Sequence, residues 1–590
     1  MFRSRFRFAL AVLIAAGCGD DEPPAPCEEA APRALARCVQ DRAAAEMDCY
    51  RATGAECSGP DGALDALRDA VATSCVDGDL AAQTVVAAQE RLTAACEAES
   101  DSLVWRVVGG PQGAVVAGAS EAQASCLAVA FDEANALLGE TLDAIDECLG
   151  GTCDPAAFAT ERAALEDGAR EAITAACPSL SGAIAVDVAT FVERAAHQAD
   201  CVAATAHESV APLALSCGPE NTDFAAPRGE WTRVRVDGEK WGTLCGDGSG
   251  YSFWIRPAPE GEPLDRLFIG LQGGGVCIFE DDCTARLEAA PGLFTAEDDE
   301  PLSVALVSDD PEVSPYANWT KVYLPYCTQD VFAGGGVTES LGDLELPRYG
   351  SVNLRASLQM VRDWLWQSLD GELAAGVTGY RPAEVRALFG GFSAGSYGTL
   401  YNYHWVLDDL QWPRTAAFPD AGLALDNGET LGVAGLGAIK IPVWGMRNNL
   451  PPYCFDGDCA LGEVIVNALA PRLLQVPEQQ MLLLSNQRDS IQQGDAFFEV
   501  EGDFVNTLRR TYCDTKDLAG IQWYLTSAPD PVHVVTIQPD LWTGSVDGVE
   551  MRDWFERAMS DPSSLTDHAE ESDYTTRVDG VEPFPCTVGD

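Results

Sequence analysis

Along the chain the spacing of apolar positions changes once, near residue 217. From Cys27 to Cys217 apolar side chains recur at three- and four-residue intervals. Runs such as "PRALARCVQDRAAAEMDCYRA", "GALDALRDAVATSC" and "AAQTVVAAQERLTAACEAE" read as amphipathic helices. Breakers at 59–62 ("GPDG") and 150–151 ("GG") separate them, and "AGASEAQA" (117–124) joins two halves. Cys49, Cys57, Cys75 and Cys96 recur in the same order as Cys148, Cys153, Cys177 and Cys201. The pattern predicts two tandem helical units stapled by disulfides.

Beyond residue 217 short apolar runs of strand character take over. They are "RLFIGLQ" (266–272), "TKVYLPYC" (320–327), "EVRALFG" (384–390), "AIKIPVWGM" (438–446), "QMLLLSN" (480–486) and "IQWYLTS" (521–527). Helical stretches such as "SVNLRASLQMVRDWLWQSL" lie between them. Strand alternating with helix predicts an α/β domain on a mostly parallel sheet over residues 218–590, preceded by a disulfide-rich all-α domain at 27–217.

The first residues have another texture. Arg3, Arg5 and Arg7 precede a short apolar run, Phe8 to Ala16, and then "AAGC". This reads as a lipoprotein signal peptide over 1–18, with Cys18 as the lipidated residue and 19–26 ("GDDEPPAP") as a tether. The expected location is outside the cytoplasm, anchored by lipid at the bacterial outer membrane or cell surface, or else secreted. Twenty-one cysteines suit that compartment, and an even number remains once Cys18 is set aside.

Composition narrows the function. The 590 residues carry a net charge of −55 with four lysines, a pI near 4.2 and a mean hydropathy of −0.04. Such a surface repels phosphate backbones, which argues against nucleic acid, and it opposes strongly polyanionic substrates. Five histidines and no paired C-x-x-C spacing argue against a metal centre. His197 and His207 read as exposed helix residues.

The chemistry gathers around "FGGFSAGSYG" (389–398), where Gly391-Phe392-Ser393-Ala394-Gly395 fits G-x-S-x-G. A strand precedes it and a helix, "GTLYNYHWVLDDL", follows, the context in which a sharp turn exposes a nucleophilic serine. The strand at 266–272 ends in Gly273-Gly274-Gly275, whose N–H groups, with that of Ala394, suit a developing oxyanion. For a base, His533 in "SAPDPVHVVTI" follows a strand, whereas His568 in "LTDHAEESD" reads as solvated surface and His404 as a packing residue. For the acid, Asp489 and Asp495 both follow "QMLLLSN", with Asp489 nearer the strand end.

Residues 245–586 resemble the pectin acetylesterase family. The matching pieces are "CGDGSGYSFWI" (245–255), "LQGGGVCIFEDDC" (271–283), "NWTKVYLPYCTQDVFAGG" (318–335), "FGGFSAGSYGTLYN" (389–402) and "DAGLALDN" (420–427). The resemblance implies a serine esterase on an α/β-hydrolase-like, doubly wound sheet that needs no metal or organic cofactor. Ser393 is its nucleophile, His533 its base and Asp489 the orienting acid, with Gly274, Gly275 and Ala394 as the oxyanion hole. It implies a disulfide between Cys277 and Cys283, a similar small loop at Cys454 and Cys459, and a structural role for Asp420, Asp426 and Asn427. Two departures concern the acyl pocket: Val276 replaces an aromatic residue and Ser396 a glycine. The expected partner is an acylated carbohydrate or small ester. The rival reading is a surface binding protein with a degenerate hydrolase scaffold.

Overall fold

The computed structural model describes residues 25–55, 57–80, 83–151, 154–297, 299–373, 379–425, 440, 443–451, 469–476, 478–493, 501–529, 532–570, 581 and 584–586. The expectations for Cys18, Cys153, Asp426, Asn427, Cys454, Cys459 and Asp495 lie outside these residues.

The helical region has six long helices: α1 (Cys27–Thr53), α2 (Asp61–Ser74), α3 (Val85–Val108), α4 (Glu121–Leu149), α5 (Pro155–Ala176) and α6 (Val188–Ala206). Local chemistry sets their starts. Thr84 caps α3 through the Ala87 N–H, Ser120 and Gln123 form a reciprocal capping box on α4, and Asp154 caps α5. Cys27–Cys75 ties the start of α1 to the end of α2, and Cys126–Cys177 does the same for α4 and α5. Cys38–Cys96 then joins α1 to α3. The second unit departs here, because the residue 99 positions after Cys38 is Leu137. Cys201 on α6 accordingly pairs forward with Cys217.

The α/β region is built on β1 (Thr232–Arg235), β2 (Ser252–Arg256), β3 (Arg266–Leu271), β4 (Thr320–Leu324), β5 (Arg386–Phe392), β6 (Arg414–Asp420), β7 (Gln480–Asn486), β8 (Ile521–Thr526) and β9 (His568–Ala569). Their spatial order is β1-β2-β4-β3-β5-β6-β7-β8-β9. Pairing is antiparallel from β1 to β2 and from β2 to β4, and parallel from β4 to β9. This is the mostly parallel sheet of an α/β domain that the strand–helix alternation predicts. Helices α7 (Gly350–Gly371) and α8 (Ala394–Asp408) pack in the same core as the helical region, which runs without a break from Leu35 through Leu103 to Leu358 and Val406. Ion pairs cross the join, Arg91 with Asp370 at 3.1 Å and Arg106 with Asp409 at 3.3 Å.

Three expectations fail. The run at 438–446 is not a strand in its described residues. Trp444 N–H bonds back to the Lys440 carbonyl in a helical turn, and both side chains converge on Glu339. Pro442 has no N–H to give a ladder. The strand that fills the place beside β5 is β6, "RTAAFPD", whose alanines and proline carry little strand signal. His568 is buried, because its short strand closes the edge of the sheet beside Tyr524. His197 and His207 are half-buried: His197 faces Arg362 and Ser216, and His207 pairs with Asp146 at 3.0 Å. No described helix is long and apolar enough to cross a membrane.

Candidate active site

Five segments leave the C-terminal ends of neighbouring parallel strands and meet at one edge of the sheet. In such sheets this is where ligands bind. Ser393 follows β5 directly and holds φ 56°, ψ −114° between the strand and α8. A non-glycine residue there stores on the order of 1–3 kcal/mol, sustained only by its surroundings. Those surroundings are close: a Cβ on Gly391 would meet Gly395 backbone and the Leu271 Cβ at 2.6 Å, and one on Gly395 would meet the Leu271 carbonyl oxygen at 2.4 Å. The two outer glycines of the motif let β3 touch the turn. The Ser393 N–H donates to the Asp420 carbonyl at the end of β6, 2.9 Å away.

Beyond β7, Asp489 is fully buried. Its carboxylate accepts the N–H groups of Ile491 and Gln492 at 2.9 and 3.1 Å, and it meets His533 Nδ1 at 2.8 Å. Those contacts leave it one orientation. The other ring nitrogen, His533 Nε2, is buried without a hydrogen-bond partner among the described residues. A pairing at Nδ1 sets the tautomer that leaves Nε2 free to accept a proton.

The loop carrying His533 is held from beneath by Asp420. That carboxylate accepts the Val535 N–H at 3.1 Å, the Thr536 N–H at 2.8 Å and the Thr536 hydroxyl at 2.6 Å. Burial pushes the Asp420 carboxyl up to about 6, opposed by these hydrogen bonds and by His533. Asp420 is therefore a tether for the histidine loop, which makes specific the structural role that the resemblance implies.

The triple-glycine turn lies against the serine. A Cβ on Gly273 would stand 3.1 Å from the Ser393 Cβ, and Gly275 takes φ 74°. Arg286 Nη1 donates to the Gly274 carbonyl at 2.7 Å, and its guanidinium lies against Gly275, where a Cβ would meet Nη2 at 2.6 Å. In a trans peptide this turns the Gly275 N–H to the side opposite Arg286. Arg286 carries no sequence signal, because it acts from a helix through a backbone atom. Ala394 opens α8, so its N–H has no acceptor within the helix. Cys277 and Cys283 are joined and brace the turn from its far end. Of the two departures, Ser396 donates its hydroxyl to the Gly422 carbonyl at 2.8 Å, and Val276 packs half-buried against the main core. His404 is buried on α8, where burial and nearby arginines hold its ring far below the usual imidazole range.

Residues 230–469 match the family model described as Pectinacetylesterase. The palmitoleoyl-protein carboxylesterase notum1 of Xenopus laevis is 29% identical over 192 residues, 31% of this chain and 35% of that protein. The human palmitoleoyl-protein carboxylesterase NOTUM is 27% identical over 31% of this chain and 34% of its own. Pectin acetylesterase 4 of Arabidopsis thaliana is 27% identical over 33% and 45%. The chain thus spans about a third to under half of the length of these relatives. Among solved structures, the Wnt deacylase Notum from Drosophila superposes with a TM-score of 0.43 at 16% identity, over 58% of this chain and 96% of that one. Over residues 230–469 the chain is therefore similar to pectinacetylesterase domains, and the relatives it resembles are Notum and the plant pectin acetylesterases.

Proposed function

We propose that this chain is an exported serine esterase that removes acyl groups, acetyl foremost, from a glycan or a small ester. The observation that carries the reading is the Asp489–His533 pair, with an unpartnered Nε2, at the same sheet edge as the strained Ser393. In this reading the Ser393 hydroxyl attacks the ester carbonyl carbon and its proton passes to His533 Nε2. The N–H groups of Gly274, Gly275 and Ala394 stabilise the oxyanion. The alcohol leaves with the proton from His533, and water repeats the sequence on the acyl-serine. Asp489 holds the imidazole in its tautomer and favours the imidazolium as it forms.

The names of the relatives cover a palmitoleoyl protein ester and a pectin acetyl ester. What they share is cleavage of a carboxylic ester, and that much is carried over. Extensive disulfide bonding supports export, and the lipid anchor at Cys18 is proposed on the leader's sequence alone.

A fluorophosphonate probe tests the reading. The folded wild type is expected to label at Ser393, and Ser393→Ala is expected to lose both label and hydrolysis of p-nitrophenyl acetate. A folded wild type that takes no label, or a variant that labels equally, rejects it. Rates on longer p-nitrophenyl esters then measure the depth of the acyl pocket.

A further inference from the structure

One large cavity lies away from the ester site. It measures about 860 Å³ and lies where α6 and the segment after it face α7 and α8, and none of Ser393, Asp489 and His533 lines it. That volume falls in the range of small-molecule sites, roughly 300–1,000 Å³.

Its charge is unusual for this protein. The chain has 92 acidic residues against 37 basic ones, so a buried arginine readily finds a carboxylate. Arg91, Arg106, Arg162, Arg348, Arg362 and Arg472 each do. Arg194 and Arg355, both lining the cavity, form no ion pair among the described residues. Arg194 donates to the Asn448 carbonyl at 2.8 Å. Arg355 donates to the Asn449 carbonyl at 3.1 Å and to the Asn402 side chain at 3.3 Å. Neither guanidinium gives its Nη1 an acceptor among those residues. Burial lowers both below the usual arginine range, and the Arg194 charge presses on Arg355.

The acids of the lining are otherwise engaged. Asp409 faces Arg106, Glu166 faces Arg162, and Glu220 accepts the Val210 N–H, while Glu193 is exposed. The remaining wall suits a sugar-sized body. Trp405 lies under Arg355 with its centroid at 5.2 Å, Trp241 is half-buried, and exposed Lys240 stands over the Trp241 ring.

We infer that this cavity binds an organic anion, a carboxylate-bearing sugar, through the guanidinium groups of Arg194 and Arg355. Two guanidiniums that Asp409 offsets only from beyond ion-pair distance are a standing cost, which a planar carboxylate reduces by accepting paired N–H bonds. The half-buried Trp241 and the amide side chains of the lining border the space left for the ring. The strongly negative surface, which would repel a free polyanion, then has one local place where a single acidic sugar is favoured. The inference stands apart from the esterase reading, because it uses none of that site's residues.

Isothermal titration of the full chain with galacturonate and glucuronate tests it, with glucose, acetate and inorganic phosphate as comparisons. Both uronates are expected to bind, with an affinity that falls as salt is raised. Acetate is expected to bind at least tenfold more weakly, and glucose not to bind measurably. Ser393→Ala is expected to keep uronate binding, and Arg355→Gln to weaken it at least tenfold with an unchanged circular dichroism spectrum. Should Arg355→Gln fail to fold, Arg194→Lys keeps the charge and loses the fork, and is expected to weaken binding several-fold. The inference is overturned by no uronate binding to the wild type, by glucose binding equally, or by phosphate binding more tightly than uronate. Loss of uronate binding in folded Ser393→Ala also overturns it, because the ligand would then sit at the ester site.

Discussion

The helical region and the α/β region solve the same packing problem by different means. In the first, covalent staples set which helices meet: Cys27–Cys75, Cys38–Cys96 and Cys126–Cys177 each join two elements. In the second, backbone ladders set the order, and Cys277–Cys283 and Cys245–Cys327 brace loops around them. A parallel sheet brings the ends of distant strands to one edge, so it concentrates chemistry there. A bundle of helices offers no such edge, and, Arg194 apart, its buried charges serve its own packing and the join. Glu46, for example, is held near 9 by burial and by Asp101 beside it, deep among α1 and α3. The difference predicts that damage to the sheet edge is read in rate and damage to the staples in stability.

The largest effect expected on rate is that of Asp489→Asn. An amide there can present its N–H to His533 and favour the wrong tautomer, so kcat/KM should fall by on the order of 10³–10⁴. Thermal melting should change little, and a loss below tenfold would break the assignment of Asp489. On the other side of the comparison, replacing both Cys38 and Cys96 by alanine should destabilise the fold by about 4 kcal/mol, the loop-closure value for a separation of 58 residues. Denaturant unfolding measures it. The turnover of the folded fraction should be unchanged, and a large loss of turnover would mean that the helices shape the ester site directly.

Arg286→Ala sharpens the contrast within the sheet edge. Without its bond to the Gly274 carbonyl the glycine turn loses its fixed peptide plane, and kcat should fall about 10- to 100-fold with KM nearly constant, the pattern of an interaction used in the transition state. A rise in KM with kcat unchanged would instead make Arg286 a substrate contact.

The smallest effect concerns pH. The folded carboxyl of Asp420 titrates at about 6 against an ordinary 3.8, so the folded state holds its proton more firmly than the unfolded chain. Protonation thus adds stability as pH falls through about 6 towards 4. It also replaces an acceptor lone pair by a hydroxyl and slackens the His533 loop. Relative to Asp420→Asn, the wild type should gain stability across that window while its activity declines a few-fold. Melting curves and initial rates between pH 4 and 8 check both signs, and stability moving the opposite way would discard the tether.

Much of the sheet was legible because its buried strands are unbroken apolar runs. "RLFIGL", "KVYL", "MLLLS" and "QWYLT" could hardly be anything else between polar turns. β6 was not legible. Alanine and proline become a strand there because β5 and β7 already frame the slot. The run at 438–446 misled for the converse reason: its apolar residues serve a turn gathered around buried Glu339, a long-range partner invisible locally. The same limit hid Arg286, whose part depends on a neighbour's carbonyl.

By itself the amino-acid sequence determined the elements and the reactive residue types. Periodicity separates the helical from the α/β region, the glycines around Ser393 mark a turn, and the cysteine spacing marks the repeat. Only the tertiary structure decided which groups meet. It chose Cys217 as the partner of Cys201, seated His533 on Asp489, set Asp420 beneath the loop, and left Arg194 and Arg355 facing a cavity with no ion pair of their own among the described residues. The reason is physical: periodicity reports which face of an element is buried, whereas a hydrogen bond or an ion pair needs two atoms within about 3–4 Å, and for residues far apart in the chain that distance is set by the packing of every element between them.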